Sequence, residues 1–306
     1  MSKNIVAIDL CQQLTKTYNY KTKQFVNFNN NLLIDNQTDK VIAIGFEATK
    51  LFNNLQGNFS LHKVSNTSQT PIRYLVEYFK YILGNSLRFL GPTILLALPS
   101  NSNSNYRRSL LIALLKVGVK KVRVVDSNLA GLIGIGTNLS FNSTRLVLRI
   151  GFDTSEISLI SAAGVISYSS IEIGSNYINK QIIDKLLSSG IIASQEIIEE
   201  YKIRALGPIT DDENQKQPIL ARSIKTGLPV RCVLDIDEIS SIAKEFKLKI
   251  AKSLKDFISK IELNSLEDVF NNGVVVIGGG SKLVNIDREL AKQTNLTVLI
   301  SDNPDN

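Results

Sequence analysis

The chain has 306 residues, of which 43% are hydrophobic and 21% are charged, a balance typical of a folded protein with room for two domains. The net charge of +7 would allow attraction to an anionic surface, but the basic residues are scattered and form no nucleic-acid-binding motif, so we expect no nucleic-acid partner. Cys11 and Cys232 have no metal-ligand spacing, and the sequence shows neither a signal peptide nor an apolar run of the ~20 residues that cross a bilayer, so we expect a cytoplasmic protein.

The chain begins with a short apolar run over residues 5–10, IVAIDL, which predicts a buried strand. Asp9, near the end of this run, could orient a water molecule or bind a metal ion. An aspartate that merely starts a turn fits the pattern equally well. The alternation over 16–28 predicts further strands of a meander, and residues up to about 67 form a small polar subdomain.

Helices and strands then alternate up to residue 143. Apolar periodicity and composition predict helices over 71–83, 109–117 and 129–135, and strands over 93–98 and 121–125. Leu87, Phe89 and Leu90 lie beside Arg88 in a loop of this region. These apolar residues could enter a membrane surface, or they could pack beneath the loop.

Residues 145–161, RLVLRIGFDTSEISLIS, predict a β-hairpin whose tip is rich in hydroxyl and backbone N–H groups. Such a tip can hold a phosphate. However, Phe152 and Asp153 stand where small residues would serve better, and Arg149 occupies a strand end that could have offered a carboxylate to a metal ion. From these residues alone, an ordinary hairpin is the better interpretation.

The second half of the chain predicts several helices around one more buried strand. Helices are expected over 175–187, 194–203, 239–261 and 284–293, the first capped by Ser175, with a polar loop over 205–218 and a buried strand over 273–277. His62, the only histidine, lies in a polar stretch. We therefore expect His62 at the surface and no catalytic triad.

Three consecutive glycines, Gly278, Gly279 and Gly280, join this buried strand to the last predicted helix. They would let the backbone approach a ligand and would leave N–H groups free for an anion at a helix start. Neither a Rossmann fingerprint nor a P-loop is present. A tight structural turn is the alternative, but since consecutive glycines cost conformational entropy, we favour a binding role.

Taken in order, these segments resemble the MreB family of bacterial actin homologues, a branch of the actin-fold ATPases. The most specific segments are KVIAIGFEATK over 40–50, IKTGLPV over 224–230 and VVVIGGGSKL over 274–283. The resemblance covers nearly the whole chain. Because the chain stops near the family's SDNP-like segment, here residues 301–304, the resemblance implies a divergent member shortened at its C-terminus.

The resemblance implies an α/β, actin-like (ribonuclease H-like) fold of two domains, 1–143 and 144–306. Each domain would be a mixed sheet flanked by helices, with a nucleotide cleft between them. Small subdomains would be inserted at about 29–67 and 175–260.

The resemblance also implies where ATP with Mg²⁺ would bind. The positions that it assigns to the nucleotide are Asp9, Gln12, Gly151, Thr154, Ser155, Glu199, Lys202, Gly278, Gly279 and Gly280, with Asp9 also on the metal ion. Two positions depart from the family in their chemistry: Arg149 replaces a carboxylate of the second phosphate loop, and Tyr106 replaces the glutamate that activates water. A phenol with a pKa of about 10 is a poor base. Whether the chain is an enzyme stays open.

The function implied is that of a filament-forming cytoskeletal protein that acts in cell shape or motility at the inner face of the membrane. We expect homo-oligomeric filaments, possible co-polymers with other MreB-like proteins, weak ATP binding and little hydrolysis, with Leu87, Phe89 and Leu90 as the membrane contact. One alternative is an active ATPase with a rearranged phosphate region. Another is a non-polymerising regulator of a genuine MreB.

Overall fold

The computed structural model describes residues 4–55, 57–65, 70–87, 91–141, 143–207 and 218–301. The chain divides into two compact units, Met1–Ala130 and Gly131–Asn306. The domain boundary expected between residues 143 and 144 stays a prediction.

The first unit is built on a mixed five-stranded sheet. Its strands, in the order β3-β2-β1-β7-β8, are β1 (Ile5–Leu10), β2 (Leu14–Asn19), β3 (Gln24–Asn29), β7 (Thr93–Leu98) and β8 (Lys121–Asp126). β1 is antiparallel to β2 and parallel to β7. Alternate residues of the central strands, such as Val6 and Ile8, enter a core with helices α2 (Ile72–Leu83) and α3 (Ser104–Lys116).

A small three-stranded sheet is inserted between β3 and α2. Its strands, in the order β5-β4-β6, are β4 (Asn31–Asp35), β5 (Lys40–Ile44) and β6 (Phe59–Lys63), accompanied by helix α1 (Phe46–Asn54). β6 is absent from the sequence-based prediction, and it carries His62, which is exposed as expected.

The second unit repeats the same strand order. Its five-stranded sheet, β11-β10-β9-β15-β16, comprises β9 (Arg145–Ile150), β10 (Ser155–Ser161), β11 (Gly164–Ile171), β15 (Val274–Ile277) and β16 (Val298–Ile300). The helices are α4 (Ser127–Gly134), in which the unit boundary falls, then α5 (Asn176–Ser188), α6 (Gln195–Leu206), α7 (Ile236–Ile258), α8 (Leu263–Asn272) and α9 (Ile286–Thr294). A small sheet comprises β12 (Ile191–Ile192), β13 (Ile219–Ser223) and β14 (Pro229–Cys232).

The starts of α3 and α5 differ in how their first backbone N–H groups are bonded. α3 begins at Ser104, five residues before the apolar pattern indicates, because the Asn103 side chain accepts a hydrogen bond from the N–H of Asn105 at 2.8 Å. Ser175 occupies the predicted N-cap position of α5, but its side chain makes no cap hydrogen bond, and its backbone is already helical.

Parts of two predictions lie outside the described residues. Arg88, Phe89 and Leu90 lie outside them, as do residues 208–217 of the polar loop, whereas Leu87 is half-buried at the end of a 3₁₀ turn. No helix in the described part of the chain combines the length and apolarity that a bilayer crossing requires.

Candidate functional site

The first candidate loop, residues 11–13, joins β1 to β2 and has Asp9 at its base. Asp9 lies opposite Lys16 of β2 and beside Ala97 of β7. Its carboxylate accepts a hydrogen bond from the Cys11 thiol at 2.9 Å. Gln12 is buried. In the described part of the chain, no cluster of three His, Cys, Asp or Glu residues could hold a metal ion, so Asp9 as a metal ligand stays a prediction.

A buried asparagine that sequence reasoning missed holds this loop from beneath. The Asn30 side chain donates to the carbonyl of Cys11 at 2.7 Å and accepts from the hydroxyls of Thr15 and Tyr78 at 2.8 and 2.7 Å. The backbone carbonyl of Asn30 accepts from the N–H of Val64, which directly follows the last strand of the inserted small sheet. Because a buried amide is costly unless it is fully paired, this residue fixes the backbone at Cys11.

Tyr106 lies in the first turn of α3, with its side chain in the core of the first unit. Its hydroxyl is buried and has no hydrogen-bond partner. Burial raises the pKa of this phenol well above its ordinary value of about 10, because desolvation disfavours the phenolate. Tyr106 therefore stays protonated at physiological pH and cannot accept a proton from water.

The second candidate loop, residues 151–154, closes the β9–β10 hairpin that the sequence predicts. The N–H of Gly151 donates to the carbonyl of Thr154 at 3.1 Å. The carbonyls of Gly151 and Phe152 accept from the N–H groups of Ser175 and Asn176, at 2.9 and 2.7 Å. The first N–H groups of α5 are thus satisfied by this loop, which explains why no Ser175 side-chain cap is needed.

Two side chains of this hairpin bond it to the first residue of α5 and to the segment before that helix. The Asp153 carboxylate accepts from the Asn176 amide at 2.8 Å. The Ser155 hydroxyl donates to the carbonyl of Ile173 at 2.7 Å. Gly174 is required here, since a Cβ atom on it would lie 2.3 Å from the Phe152 carbonyl oxygen.

Arg149 forms a buried ion pair with Glu156, its direct cross-strand neighbour. The guanidinium and the carboxylate are 3.1 Å apart, and the two side chains are 15% and 2% exposed. The charge of Arg149 is therefore balanced within its own hairpin. Sequence reasoning missed this pairing, because it predicted the hairpin without its register.

Glu199 and Lys202 lie one turn apart on α6, and their charged groups are 2.6 Å apart. The Lys202 ammonium also reaches the carbonyl of Ser175 at 3.4 Å and lies 5.7 Å from the centre of the Phe152 ring. Burial lowers the pKa of Lys202, and the nearby Glu199 carboxylate opposes this shift. Asn179 donates to Glu199 at 2.5 Å, while its buried side-chain oxygen has no hydrogen-bond partner.

Gly278 and Gly280 pack against the last residue of β9. Gly278 has a φ of +86°, and a Cβ atom on it would lie 2.6 Å from the Ile150 carbonyl oxygen. A Cβ atom on Gly280 would lie 2.2 Å from a methyl group of Ile150. Packing thus requires two of the three glycines, and only Gly279 is exposed. The glycines lead into a 3₁₀ turn, Gly279–Lys282, and the predicted helix begins later, at Ile286.

Changing Gly278 to alanine is expected to destabilise the second unit by about 2–4 kcal/mol, through left-handed strain and overpacking against Ile150. Urea unfolding monitored by circular dichroism measures the change. Gly279→Ala, at the exposed position, is the control. A Gly278→Ala protein as stable as the wild type would show that packing does not require the glycine.

The structure brings together those predicted site residues that lie in the second unit. The remaining predicted site residues lie in the first unit. The second-unit set is Gly151, Thr154, Ser155, Glu199, Lys202, Gly278, Gly279 and Gly280. Asp9 and Gln12 belong to the first unit. The role of each residue in nucleotide binding stays a prediction.

Comparison with known proteins finds one family. The model of the MreB/Mbl protein family matches residues 3–306. The chain is 24% identical over 277 residues to the cell shape-determining protein Mbl of Bacillus subtilis (strain 168), covering 89% of this chain and 83% of Mbl.

Among solved structures, MreB5 of Spiroplasma citri bound to AMPPNP matches with a TM-score of 0.87 and 20% identity over 99% of this chain and 93% of that chain. The MamK double helical filament matches with a TM-score of 0.73 and 14% identity over 98% of this chain and 95% of that chain. The expected actin-like fold is therefore confirmed.

Proposed function

Because the chain belongs to the MreB/Mbl family of cell-shape cytoskeletal proteins, we propose that it assembles head to tail into filaments and that its nucleotide site hydrolyses ATP little or not at all. The observation that carries the second part is the Arg149–Glu156 ion pair at the start of the second phosphate loop.

The proposed loss of hydrolysis has two causes in the side chains. Arg149 brings a cation to a position where the family implies a carboxylate near Mg²⁺, and a cation cannot bind the metal ion. Tyr106 remains a protonated phenol in the core, so no base stands at the position implied for water activation. Asp9 alone would contact Mg²⁺, and Asp153 is already fastened to Asn176.

The residues near α6 fit the nucleoside part of ATP better than its metal-bound phosphates. Glu199 and the unpaired oxygen of Asn179 are hydrogen-bond acceptors suited to ribose hydroxyl groups. Gly151, Thr154 and Gly279 would lie on the phosphate side. When bound, ATP would supply the phosphoanhydride bond, and this chain's residues would hold it without activating water. MreB5 was crystallised with AMPPNP and with ADP, which supports nucleotide binding here.

Head-to-tail assembly is supported by two complementary surfaces within the second unit. The basic hairpin face, on β13 and β14 with their connecting turn, comprises Leu220, Arg222, Lys225, Leu228 and Arg231, all exposed. No acidic residue lies between 218 and 234. The acidic helix face, at the start and along one side of α8, comprises Glu262, Leu263, Glu267 and Phe270, all exposed.

These two surfaces lie at different ends of the unit. α8 is bonded to the residue that precedes β9, since the N–H of Thr144 donates to Asp268 at 2.9 Å. The basic hairpin face lies beyond α5, which begins at the other end of β9 and ends beside β12. A second copy can therefore place its basic face on the acidic face of the first, and repetition of this contact builds an open filament. The MamK filament shares the fold.

The remaining parts of the proposal concern the cellular location of the protein and its partners. We propose that the protein is cytoplasmic and peripheral at the inner membrane face, with Leu87, Phe89 and Leu90 as its contact, and that it can co-polymerise with other MreB-like chains. The net charge of +7 favours an anionic surface. An active ATPase and a non-polymerising regulator are the competing functions.

Isothermal titration with Mg²⁺ and ATP, combined with phosphate release and electron microscopy of the full chain, tests the proposal. We expect filaments, weak nucleotide binding, and phosphate release that Asp9→Ala does not reduce. Turnover that is abolished by Asp9→Ala would establish the active ATPase instead. Absence of filaments alone, with filaments formed when a genuine MreB is added, would establish the regulator.

A further inference from the structure

Glu199 of α6 has one carboxylate oxygen that the protein itself does not use. The Asn179 amide and the Lys202 ammonium both donate to its Oε2 atom, at 2.5 and 2.6 Å. In the described part of the chain no group donates to Oε1, and the Glu199 side chain is 18% exposed. Because both donors are buried, they fix the orientation of the carboxylate. Oε1 is therefore a preorganised hydrogen-bond acceptor for a ligand.

A second acceptor lies directly beside this carboxylate. The side-chain oxygen of Asn179 is buried and has no hydrogen-bond partner, while the nitrogen of the same amide is bonded to Glu199. A buried polar atom without a partner is rare in folded proteins, so it indicates a place for a donor group of a ligand. Adjacent hydroxyl groups of one sugar ring are donors that can reach two neighbouring acceptors. This pair of acceptors is therefore suited to the 2′- and 3′-hydroxyl groups of a ribose.

The groups around the second loop offer much less to a phosphate. At the start of α5, two N–H groups donate to carbonyls of the loop at residues 151–154, so these two groups are not available to an anion. Arg149 and Lys202 are each paired with a carboxylate, and the two pairs are electrically neutral. The Asp153 carboxylate, which is bonded to an amide, adds a negative charge. Together, these charges do not attract a polyphosphate.

The Phe152 side chain adds an aromatic ring to this loop. The ring is half-buried, and its centre lies 5.7 Å from the Lys202 ammonium. It has no donor for a phosphate oxygen. Because the face of an aromatic ring carries partial negative charge, it attracts the ammonium and disfavours an anion. Phe152 therefore favours an uncharged ligand group over a phosphate.

We propose that the second unit binds a ribonucleoside through its sugar hydroxyl groups, so that the number of phosphates and the presence of Mg²⁺ have little effect on the affinity. This inference rests on the proposed nucleotide binding and states which part of the ligand provides the affinity. Glu199 and Asn179 both belong to the second unit. Phosphates attached to the sugar would gain little from Arg149 and Lys202, because these cations already bind carboxylates.

Isothermal titration of the full chain with adenosine, AMP, ADP and ATP, each in EDTA and in excess Mg²⁺, tests the inference. We expect the dissociation constants to agree within about threefold, with and without Mg²⁺. 2′,3′-Dideoxyadenosine should bind at least about tenfold more weakly, because a site built to bond hydroxyl groups rejects a ligand that lacks them. Glu199→Gln should weaken adenosine binding to a similar extent, since a charged acceptor becomes neutral. Glu200→Gln, at the exposed neighbouring position, should bind adenosine like the wild type.

ATP binding that is lost in EDTA, or that is at least about tenfold tighter than adenosine binding, would overturn the inference and leave the proposed function intact. Equal binding of dideoxyadenosine, or unchanged adenosine binding by a folded Glu199→Gln protein, would overturn it as well. If none of the ligands binds, the nucleotide-binding part of the proposed function fails too, while electron microscopy still decides filament assembly. Thermal unfolding checks each variant. If Glu199→Gln does not fold, the dideoxyadenosine comparison decides, because it needs no variant.

Discussion

Replacing Glu156 with glutamine is expected to lower the free energy of unfolding of the second unit by about 3–5 kcal/mol, because the change removes one charge of a buried ion pair. The Glu156 side chain is 2% exposed and lies 3.1 Å from the Arg149 guanidinium. Glutamine keeps the size of the side chain, so the cost reports the missing charge and not a cavity. Thermal unfolding should show a fall of roughly 10 °C in the transition of that unit, at about 2–4 °C per kcal/mol.

An exposed ion pair of the first unit supplies the control. Glu77 and Lys80 are 2.7 Å apart but about half exposed, and Glu77→Gln should change stability by no more than about 0.5 kcal/mol. The double variant Arg149→Met with Glu156→Leu should be more stable than either single variant, because it removes both charges of the pair together. A cost of less than about 1 kcal/mol for Glu156→Gln would contradict the prediction, since buried pairs lose more when broken.

Filament assembly is expected to fail, or to need at least about ten times more protein, when Arg222 and Arg231 are both changed to glutamate. The change places two acids of the basic hairpin face against Glu262 and Glu267 of the next copy. Like charges at a contact cost several kcal/mol and so oppose association strongly. Sedimentation over a range of protein concentrations measures the critical concentration, and the wild-type contact should also weaken as salt rises.

Exchanging the charges of the two faces tests whether assembly depends on this contact or only on the net charge of the chain. Adding Glu262→Lys and Glu267→Lys to the same chain should restore filaments, because the two faces are complementary again with their signs reversed. Lys244→Glu with Lys252→Glu changes the net charge equally on the exposed side of α7 and should leave assembly unaltered. Failure of the exchange, or equal loss in the α7 variant, would rule out the proposed surfaces while leaving filament formation itself intact.

The large sheets could be predicted because their strands are apolar and short. β1 and β7 coincide with the predicted runs over 5–10 and 93–98, and the hairpin of β9 and β10 lies where the alternating pattern indicates. β6 could not be predicted, because Phe59–Lys63 mixes polar and apolar residues and is held by pairing with β4. Long-range pairing of this kind leaves little trace in a local pattern.

Sequence reasoning named the candidate site residues but not the partners that they contact within the chain. Family resemblance pointed to Arg149, Glu199 and Lys202, whereas Glu156 and Asn30 emerge only from the structure. Asn30 is joined to Cys11 and Tyr78 across 19 and 48 residues of sequence, and no spacing rule connects such partners. For the three glycines, the sequence pattern indicated a ligand site. The structure gives another reason for Gly278 and Gly280, because both pack against Ile150.

The hydrogen bonds between the loop at residues 151–154 and the start of α5 couple the orientation of that helix to the conformation of the loop. Gly151 and Phe152 hold one end of the helix through two backbone hydrogen bonds, and the other end meets the small sheet that carries the basic hairpin face. α5 has 13 residues and so spans about 20 Å, over which a tilt of about 5° displaces the far end by almost 2 Å. We therefore expect a ligand that reshapes residues 151–154 to shift the basic hairpin face, which is the surface proposed to contact the next copy.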